Sequence, residues 1–295
     1  MEPACAVLEI APSTYYAAKK REENPSARGE RDEELKKEIM RVWSGKGRKA
    51  YGVRKVWREL RREGIDVARC TVERLMRELG IAGIKARKKR PRTTVPGPAG
   101  QQRPSDLLER DFTALAPNRR WVADITYVET VNGFVYAAFI LDLFSRMIVG
   151  WQVSDTLRAG LALDALEMAI WSRGDRIGGG LVHHSDRGVQ YTSIAYAERL
   201  GEISAARSVG RKGDSYDNAA AEALNSLYKK ELIEREGPWR GVDDVMLSTL
   251  EWVAWYNTER LHSACGYVPP KEFEESYYAR QGSMVNLSHP ANEGL

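Results

Sequence analysis

Three acids stand in three unlike contexts, far apart along the 295-residue chain: Asp124 in Trp121-Val-Ala-Asp-Ile-Thr-Tyr-Val128, Asp186 in His184-Ser-Asp-Arg-Gly188, and Glu222 in Asp217-Asn-Ala-Ala-Ala-Glu222. A carboxylate set mid-strand among apolar residues is costly to bury unless a metal ion or another cation compensates it. Three such groups brought together form a site for a divalent metal. Asp186 and Glu222 are separated by 35 intervening residues, so only tertiary folding can assemble them. On a helix carrying Glu222, Ser226 and Lys229 follow at i+4 and i+7, which keeps Lys229 on the same face. Lys229 is then either a base that holds a DNA phosphate beside the metal or an ordinary solvated position.

The elements that must position these acids are legible from periodicity. Residues 121–128 alternate in polarity, as in a strand, and Asn132-Gly133 is a hairpin turn signal. A second strand follows from Phe134 to Leu143 and a third from Met147 to Val153, after a Ser145-Arg146 turn, which makes an antiparallel meander. A helix over 157–172 turns Leu161, Ala165, Met168 and Ala169 inward. After the Gly178-Gly-Gly180 break, a short strand from Leu181 to His184 delivers Asp186 at its carboxyl end, where ligands gather. A helix near 193–200, a strand near 202–206 and the loop 208–215 lead to a helix begun by Asp217 or Asn218 and ended before Gly237-Pro238. This order is that of an α/β, ribonuclease-H-like core: a mixed five-stranded sheet flanked by helices.

Ahead of that core lies a basic, all-helical region. Residues 1–110 carry 27 Lys and Arg against 16 Asp and Glu, whereas 111–295 carry 18 against 25. Within 46–92 the count is 17 to 5, suited to a phosphate backbone or else to solvated helix faces and a linker. Val53, Val56, Trp57 and Leu60 form one apolar stripe ending near Gly64, and Val72, Leu75, Met76 and Leu79 form a second ending at Gly80. Two such helices read as a helix-turn-helix whose second helix enters a major groove, with Arg69, Arg74 and Arg77 off the apolar stripe, or as a hairpin that merely packs. Upstream, Ala4 to Tyr16 resembles half of another helix-turn-helix with Ser13 as N-cap, and 32–43 form a helix with Leu35, Ile39, Val42 and Trp43 on one stripe. The stretch from Lys85 to Arg103, including Lys88, Lys89 and Arg90, is rich in Lys, Arg, Pro and Gly and reads as a linker that tracks DNA. The expected organisation is a helical segment at 1–44, a helix-turn-helix at 45–84, a linker at 85–105, a catalytic domain at 106–279 and a tail at 280–295. No run of 18 apolar residues and no basic-then-apolar amino terminus occurs, so a cytoplasmic protein with no membrane partner is expected. Cys5, Cys70 and Cys265 lack any Cys-x-x-Cys spacing and are expected to be small buried hydrophobes.

Residues 106–276 resemble the catalytic domain of the DDE transposases and retroviral-type integrases, most closely the second-frame (OrfB) protein of the IS-three family of bacterial insertion sequences. The matching text is Asn118-Arg-Arg-Trp-Val-Ala-Asp-Ile-Thr-Tyr127, Leu141-Asp-Leu-Phe-Ser-Arg146, Val149-Gly-Trp151, His184-Ser-Asp-Arg-Gly-Val-Gln-Tyr191, Ser215-Tyr-Asp-Asn218 and Trp255-Tyr-Asn-Thr-Glu-Arg-Leu-His262. Tyr51-Gly-Val-Arg54 and its surroundings resemble the family's DNA-binding module. The resemblance implies that Asp124, Asp186 and Glu222 are the catalytic, metal-holding triad, with Lys229 in the family's basic position and His184, Arg187 and Asn218 in support. It implies two Mg²⁺ ions about 3.5–4 Å apart, replaceable by Mn²⁺, bridged by Asp124. Strand cutting by water and strand joining by a freed 3′-hydroxyl are then one chemistry. The implied partners are DNA (terminal repeats and target), the upstream-frame OrfA product or a fusion with it, and further copies of the chain on DNA. The sequence starts inside that two-frame arrangement, so weak or non-specific DNA binding by the isolated chain is expected. A resolvase-like nuclease of the same fold and a DNA-binding regulator are the rival readings.

Other tempting residues have blander expectations. Asp142 caps the Ser145-Arg146 turn. His183 and His184 point to opposite faces of a strand and cannot share a zinc ion, though His184 leans toward Asp186. Trp252, Trp255 and Tyr256 pack the last helix, while Asn257, Arg260 and His262 carry the family's spacing without a chemistry that the sequence reveals. Glu109 and Asp111 are expected to be solvated.

Overall fold

A computed structural model of the chain describes residues 11–23, 26–84, 107–108, 111–186, 188, 190–209 and 218–288. The chain divides into two compact units, Met1–Lys85 and Ala86–Leu295. Among the described residues no helix is long and apolar enough to cross a membrane.

In the first unit, helices α1 (Pro12–Glu23), α2 (Ala27–Ser44), α3 (Val53–Arg62) and α4 (Arg69–Glu78) follow one another. Helix α1 opens on Pro12, whose missing N–H suits a first helical turn, so Ser13 lies inside the helix rather than capping it. Helix α2 is capped by Ser26, whose hydroxyl accepts from Gly29 N, and so begins five residues earlier than its apolar stripe indicates. Leu35, Ile39, Val42, Val56, Leu60, Val72, Leu75 and Met76 are buried together with Tyr51. Arg74, half-exposed beside this packing, is engaged between helices: its guanidinium holds Asp32 of α2 at 2.8 Å and Glu78 at 2.8 Å. Arg69 and Arg77 are exposed. Cys70 is also exposed, contrary to the expected burial, because it sits beside Arg69 on the outer side of α4; Cys265 is buried.

The second unit is built on one mixed sheet in the order β3-β2-β1-β4-β5. Strands β1 (Arg120–Thr130), β2 (Gly133–Asp142) and β3 (Ile148–Ser154) form the antiparallel meander, and β4 (Val182–Ser185) and β5 (Ala206–Val209) add in parallel. Thr130 pairs with Gly133, so the hairpin loop is Val131-Asn132, one residue earlier than the Asn132-Gly133 signal, with Gly133 supplying a φ of 113°. Strand β5 lies about four residues beyond its expected place, because Ile203 and Ala205 pack against the core instead and Ser204 turns with a φ of 54°.

Helix α5 (Ala159–Arg173) covers one face of the sheet, with α6 (Ile194–Glu202) capped by Ser193 beside it. The other face carries α7 (Ala219–Tyr228), a π-helical turn at Lys229–Ile233, the short turn Glu234–Glu236, and α8 (Val242–Thr258); α9 (Pro270–Ser288) follows. Phe139, Tyr228, Trp252 and Tyr256 contact one another in series on that face, edge to face or tilted, so Trp252 and Tyr256 pack as expected. Asp142 accepts from the backbone N–H groups of Asn118, Phe144 and Ser145, the turn-capping role expected of it. Asp111 is exposed, as expected, and also pairs with Arg120 at 2.6 Å, while Glu109 lies outside the described residues.

Gly150 lets α5 lie directly on β3. A Cβ there would sit 2.1 Å from Ala165 O and 2.9 Å from Ala169 Cβ. We expect Gly150→Ala to destabilise the unit by roughly 1–3 kcal/mol, an overpacking cost that lowers Tm by several degrees in thermal denaturation. An unchanged Tm would mean that α5 shifts freely.

Candidate active site

The register of the sheet brings the first two acids together. Ala123 pairs with Ser185 at the last step of the parallel β1–β4 ladder. Asp124 follows Ala123 on β1 and Asp186 follows Ser185 just past the end of β4, so the register brings the two carboxylates near each other, close enough for the charge of Asp186 to act on Asp124. The third acid is brought over them by α7, which is held to β1 by two side-chain amides. Asn218 Nδ2 donates to Ala123 O at 3.1 Å, and Asn225 Nδ2 donates to Asp124 Oδ2 at 2.9 Å. Glu222 lies between these anchors, one turn from each. Asn218 thus starts α7 but spends its side chain on β1 rather than on the helix end.

The electrostatics follow from the crowding. Asp124 is pushed up to about 7, first by burial and then by the charges of Asp186 and Glu222, against hydrogen bonds from Ile125 N and Asn225. Asp186 is also raised, by burial, although Gly188 N donates to its Oδ1 at 2.9 Å and the nearby His184 opposes the shift. A site that raises its own carboxylates favours anything positive, whether proton or metal cation. Among the described residues no three Asp, Glu, His or Cys side chains already form a metal cage. The hard oxygen donors nevertheless suit Mg²⁺ or Mn²⁺ rather than zinc.

The raised Asp124 makes stability depend on pH with a definite sign. Its pKa in the folded chain is about 7 against an ordinary 3.8, so the folded state binds this proton more tightly than the unfolded state does. Its stabilising contribution is complete below 3.8 and is lost as pH rises toward about 7. In EDTA, the Tm of the chain relative to an Asp124→Asn variant is therefore expected to fall across that window, and millimolar Mg²⁺ is expected to restore it at pH 8. A Tm difference that stays flat with pH would mean that Asp124 is not raised.

Asp124 and Glu222, though not Asp186, line a cleft of about 340 Å³ together with Asn225, Ser226, Lys229 and Lys230. Glu222, Ser226 and Lys229 therefore do share a face. Lys229 begins the π-helical turn, a wider coil that recurs at functional sites. Its Nζ lies 4.2 Å from the centre of the Tyr127 ring. His183 and His184 diverge as expected: His183 Nε2 meets Tyr196 Oη at 3.0 Å, and His184 Nδ1 meets Ser208 Oγ at 2.8 Å. Burial pushes His183 down to about 3, which keeps it neutral. Arg187, Lys88, Lys89 and Arg90 lie outside the described residues.

Three residues acquire roles that sequence reasoning did not supply. Asn225 is one, and its signal was its i+3 spacing from Glu222 on the same helix. Asn257 clamps β3 by exchanging two 2.9 Å hydrogen bonds with the backbone of Ile148. Arg260 grips the buried Glu231 of the π-helical turn at 2.6 and 2.8 Å.

Comparison with known proteins gives this geometry a family. The "Integrase core domain" family models match residues 114–215 and 205–270, which between them contain all three acids, and the "HTH-like domain" model matches residues 30–90. The transposase for insertion sequence element IS629 of Shigella sonnei is 51% identical over 95% of this chain and 93% of its own length. Transposase InsF for insertion sequence IS3A of Escherichia coli K12 is 32% identical over 93% of this chain and 94% of its own. The chain belongs to the IS-three family of insertion-sequence transposases. As a transposase it is a polynucleotidyl transferase, with an α/β integrase core and a helix-turn-helix-like region ahead of it. Among solved structures, the transposase is also similar to the HTLV-2 integrase catalytic core domain in complex with magnesium, at 17% identity, with a TM-score of 0.43 over 54% of this chain and 98% of that one.

Proposed function

We propose that Asp124, Asp186 and Glu222 are the catalytic triad of this transposase and that they hold two divalent cations, Mg²⁺ or Mn²⁺, against a DNA phosphodiester. The observation that carries the reading is the Ala123–Ser185 register, which sets two carboxylates near each other beneath a helix that brings a third. Bound there, the metal supplies Lewis-acid activation of a hydroxyl and neutralises charge on the phosphate. The chain's own residues do the rest. Asn225 holds one Asp124 oxygen and Ile125 N–H the other, fixing the orientation of the carboxylate. Lys229 and Lys230 on the cleft wall attract the phosphate backbone.

Away from the cleft, Arg69 and Arg77 on α4 remain the arginines offered to DNA in the first unit, since Arg74 is engaged with Asp32 and Glu78. Family membership supports an upstream-frame partner, assembly of several copies on DNA, and work in the bacterial cytoplasm where the DNA lies. The magnesium named for the HTLV-2 domain accords with the choice of metal.

The test is strand cleavage and strand transfer on a labelled duplex bearing the element's terminal repeat, comparing the chain, its Glu222→Gln variant and a fusion to the upstream frame. Metal-dependent joining that disappears in the variant is the expected result. Hydrolysis without joining would favour a nuclease, and binding without cleavage by every form would favour a regulator.

A further inference from the structure

The sheet face opposite the cleft ends in exposed aromatic rings. Tyr127 on β1 stands across from Tyr136 on β2, and Phe134 stands across from Glu129, so Tyr127 and Phe134 share one face at the open end of the hairpin. Their ring centres are 5.6 Å apart, edge to face. Tyr127 is 54% exposed and Phe134 52% exposed. Large rings left in water on a rigid sheet mark a place where something stacks.

The neighbour decides what stacks. Lys229 lines the cleft with Asp124 and Glu222, yet its ammonium lies 4.2 Å from the Tyr127 ring centre. The β1–β4 ladder stops at Ala123, so beyond it the cleft and the aromatic face meet around the edge of β1. A cation beside both a carboxylate cleft and exposed aromatic rings can take the phosphate of a nucleotide while its base packs against the ring surface that the ammonium leaves open. A paired base offers only its groove edge, so the base that reaches these rings has left its stack.

We propose that Tyr127 and Phe134 form a stacking platform for one unpaired nucleobase of the DNA strand whose phosphate lies at Asp124. The proposal rests on the reading of the cleft as the phosphodiester site and adds what that site does with the adjoining base. It makes an opened duplex end, rather than a fully paired one, the form of DNA that the cleft holds best.

The experiment is equilibrium binding of the full chain, in Ca²⁺ to prevent turnover, to two terminal-repeat duplexes. One has a frayed end carrying 2-aminopurine in its unpaired nucleotides, and the other is fully paired. Tyr127→Ala and Phe134→Ala are each expected to weaken frayed-end binding roughly tenfold to hundredfold. They should leave the paired duplex unaffected and abolish the quenching of 2-aminopurine, whereas Tyr127→Phe should retain both. Unchanged frayed-end binding in the alanine variants, or 2-aminopurine that stays bright with the native chain, overturns the platform. So does a shift to a smaller species in sedimentation with binding unchanged, which would assign the rings to contacts between copies. If frayed-end binding requires Lys229 and a divalent cation but ignores Tyr127 and Phe134, the platform alone is wrong. If it requires neither Lys229 nor the cation, the cleft reading fails with it.

Discussion

Asp124→Asn is expected to lower strand transfer by roughly a thousandfold or more while leaving a metal-free protein that melts higher than the native chain at pH 8. Both effects have one origin. Burial first, and then the charges of Asp186 and Glu222, push Asp124 up to about 7, so ionised Asp124 is a desolvated and repelled group that the fold tolerates. Asparagine keeps the shape and removes the buried charge, a gain of up to about 4 kcal/mol at a pH above 7. The same change removes the anionic oxygens that would hold a cation, and several kcal/mol of transition-state charge stabilisation go with it; each 1.36 kcal/mol is a factor of ten in rate. The measurement is a pair: initial rates of joining on terminal-repeat DNA in Mg²⁺, and thermal melts in EDTA at pH 8. A variant that keeps more than a tenth of the native rate removes Asp124 from the reaction. A variant that melts lower would mean that Asp124 serves the fold, with Asn225 and Ile125 as its structural partners.

The second large effect lies outside the cleft. Arg260→Leu leaves the carboxylate of Glu231 in the interior without the guanidinium that now makes two hydrogen bonds to it. Removing one partner of a buried pair costs about 3–5 kcal/mol, because the remaining charge has lost its solvation and gained nothing. For a unit of this size that corresponds to a fall in Tm of about 6–20 °C. Glu231 belongs to the π-helical turn that also carries Lys229 and Lys230, so the local loss should reach the cleft wall before the whole unit unfolds. Pairing Arg260→Leu with Glu231→Leu is expected to recover most of the lost stability. Melting curves for both singles and the double complete the cycle, and a double variant as unstable as Arg260→Leu would show that the guanidinium acts chiefly through the Trp255 and Tyr256 rings beside it.

What could be read beforehand and what could not divide along a physical line. The alternation through Val122, Asp124, Thr126 and Val128 is local, and so was legible as a strand. Asp124 stood out because a carboxylate in an apolar run conflicts with its surroundings, whereas Asp186 and Glu222 were singled out by the family resemblance of the motifs around them. The amide clamps were opaque for the opposite reason: Asn218, Asn225 and Asn257 are common polar residues that fit their helices without conflict, and their partners lie 95, 101 and 109 residues away. Arg74 shows the limit of face counting. Its spacing put it on the outer side of α4, but a long guanidinium reaches back to Asp32 on another helix. Strand β5 was misplaced because apolar content in Ile203 and Ala205 marks burial, not backbone pairing.

The way in which α7 docks on β1 also sets an order in time. Both aspartates have been translated by residue 186, but the helix that brings Glu222, and the later Asn257 and Arg260 that brace its surroundings, are made afterwards. A nascent or prematurely terminated chain therefore presents the sheet without the helix that completes its chemistry. On the proposed triad, a product unfinished beside the host chromosome lacks the third acid with which to cut it.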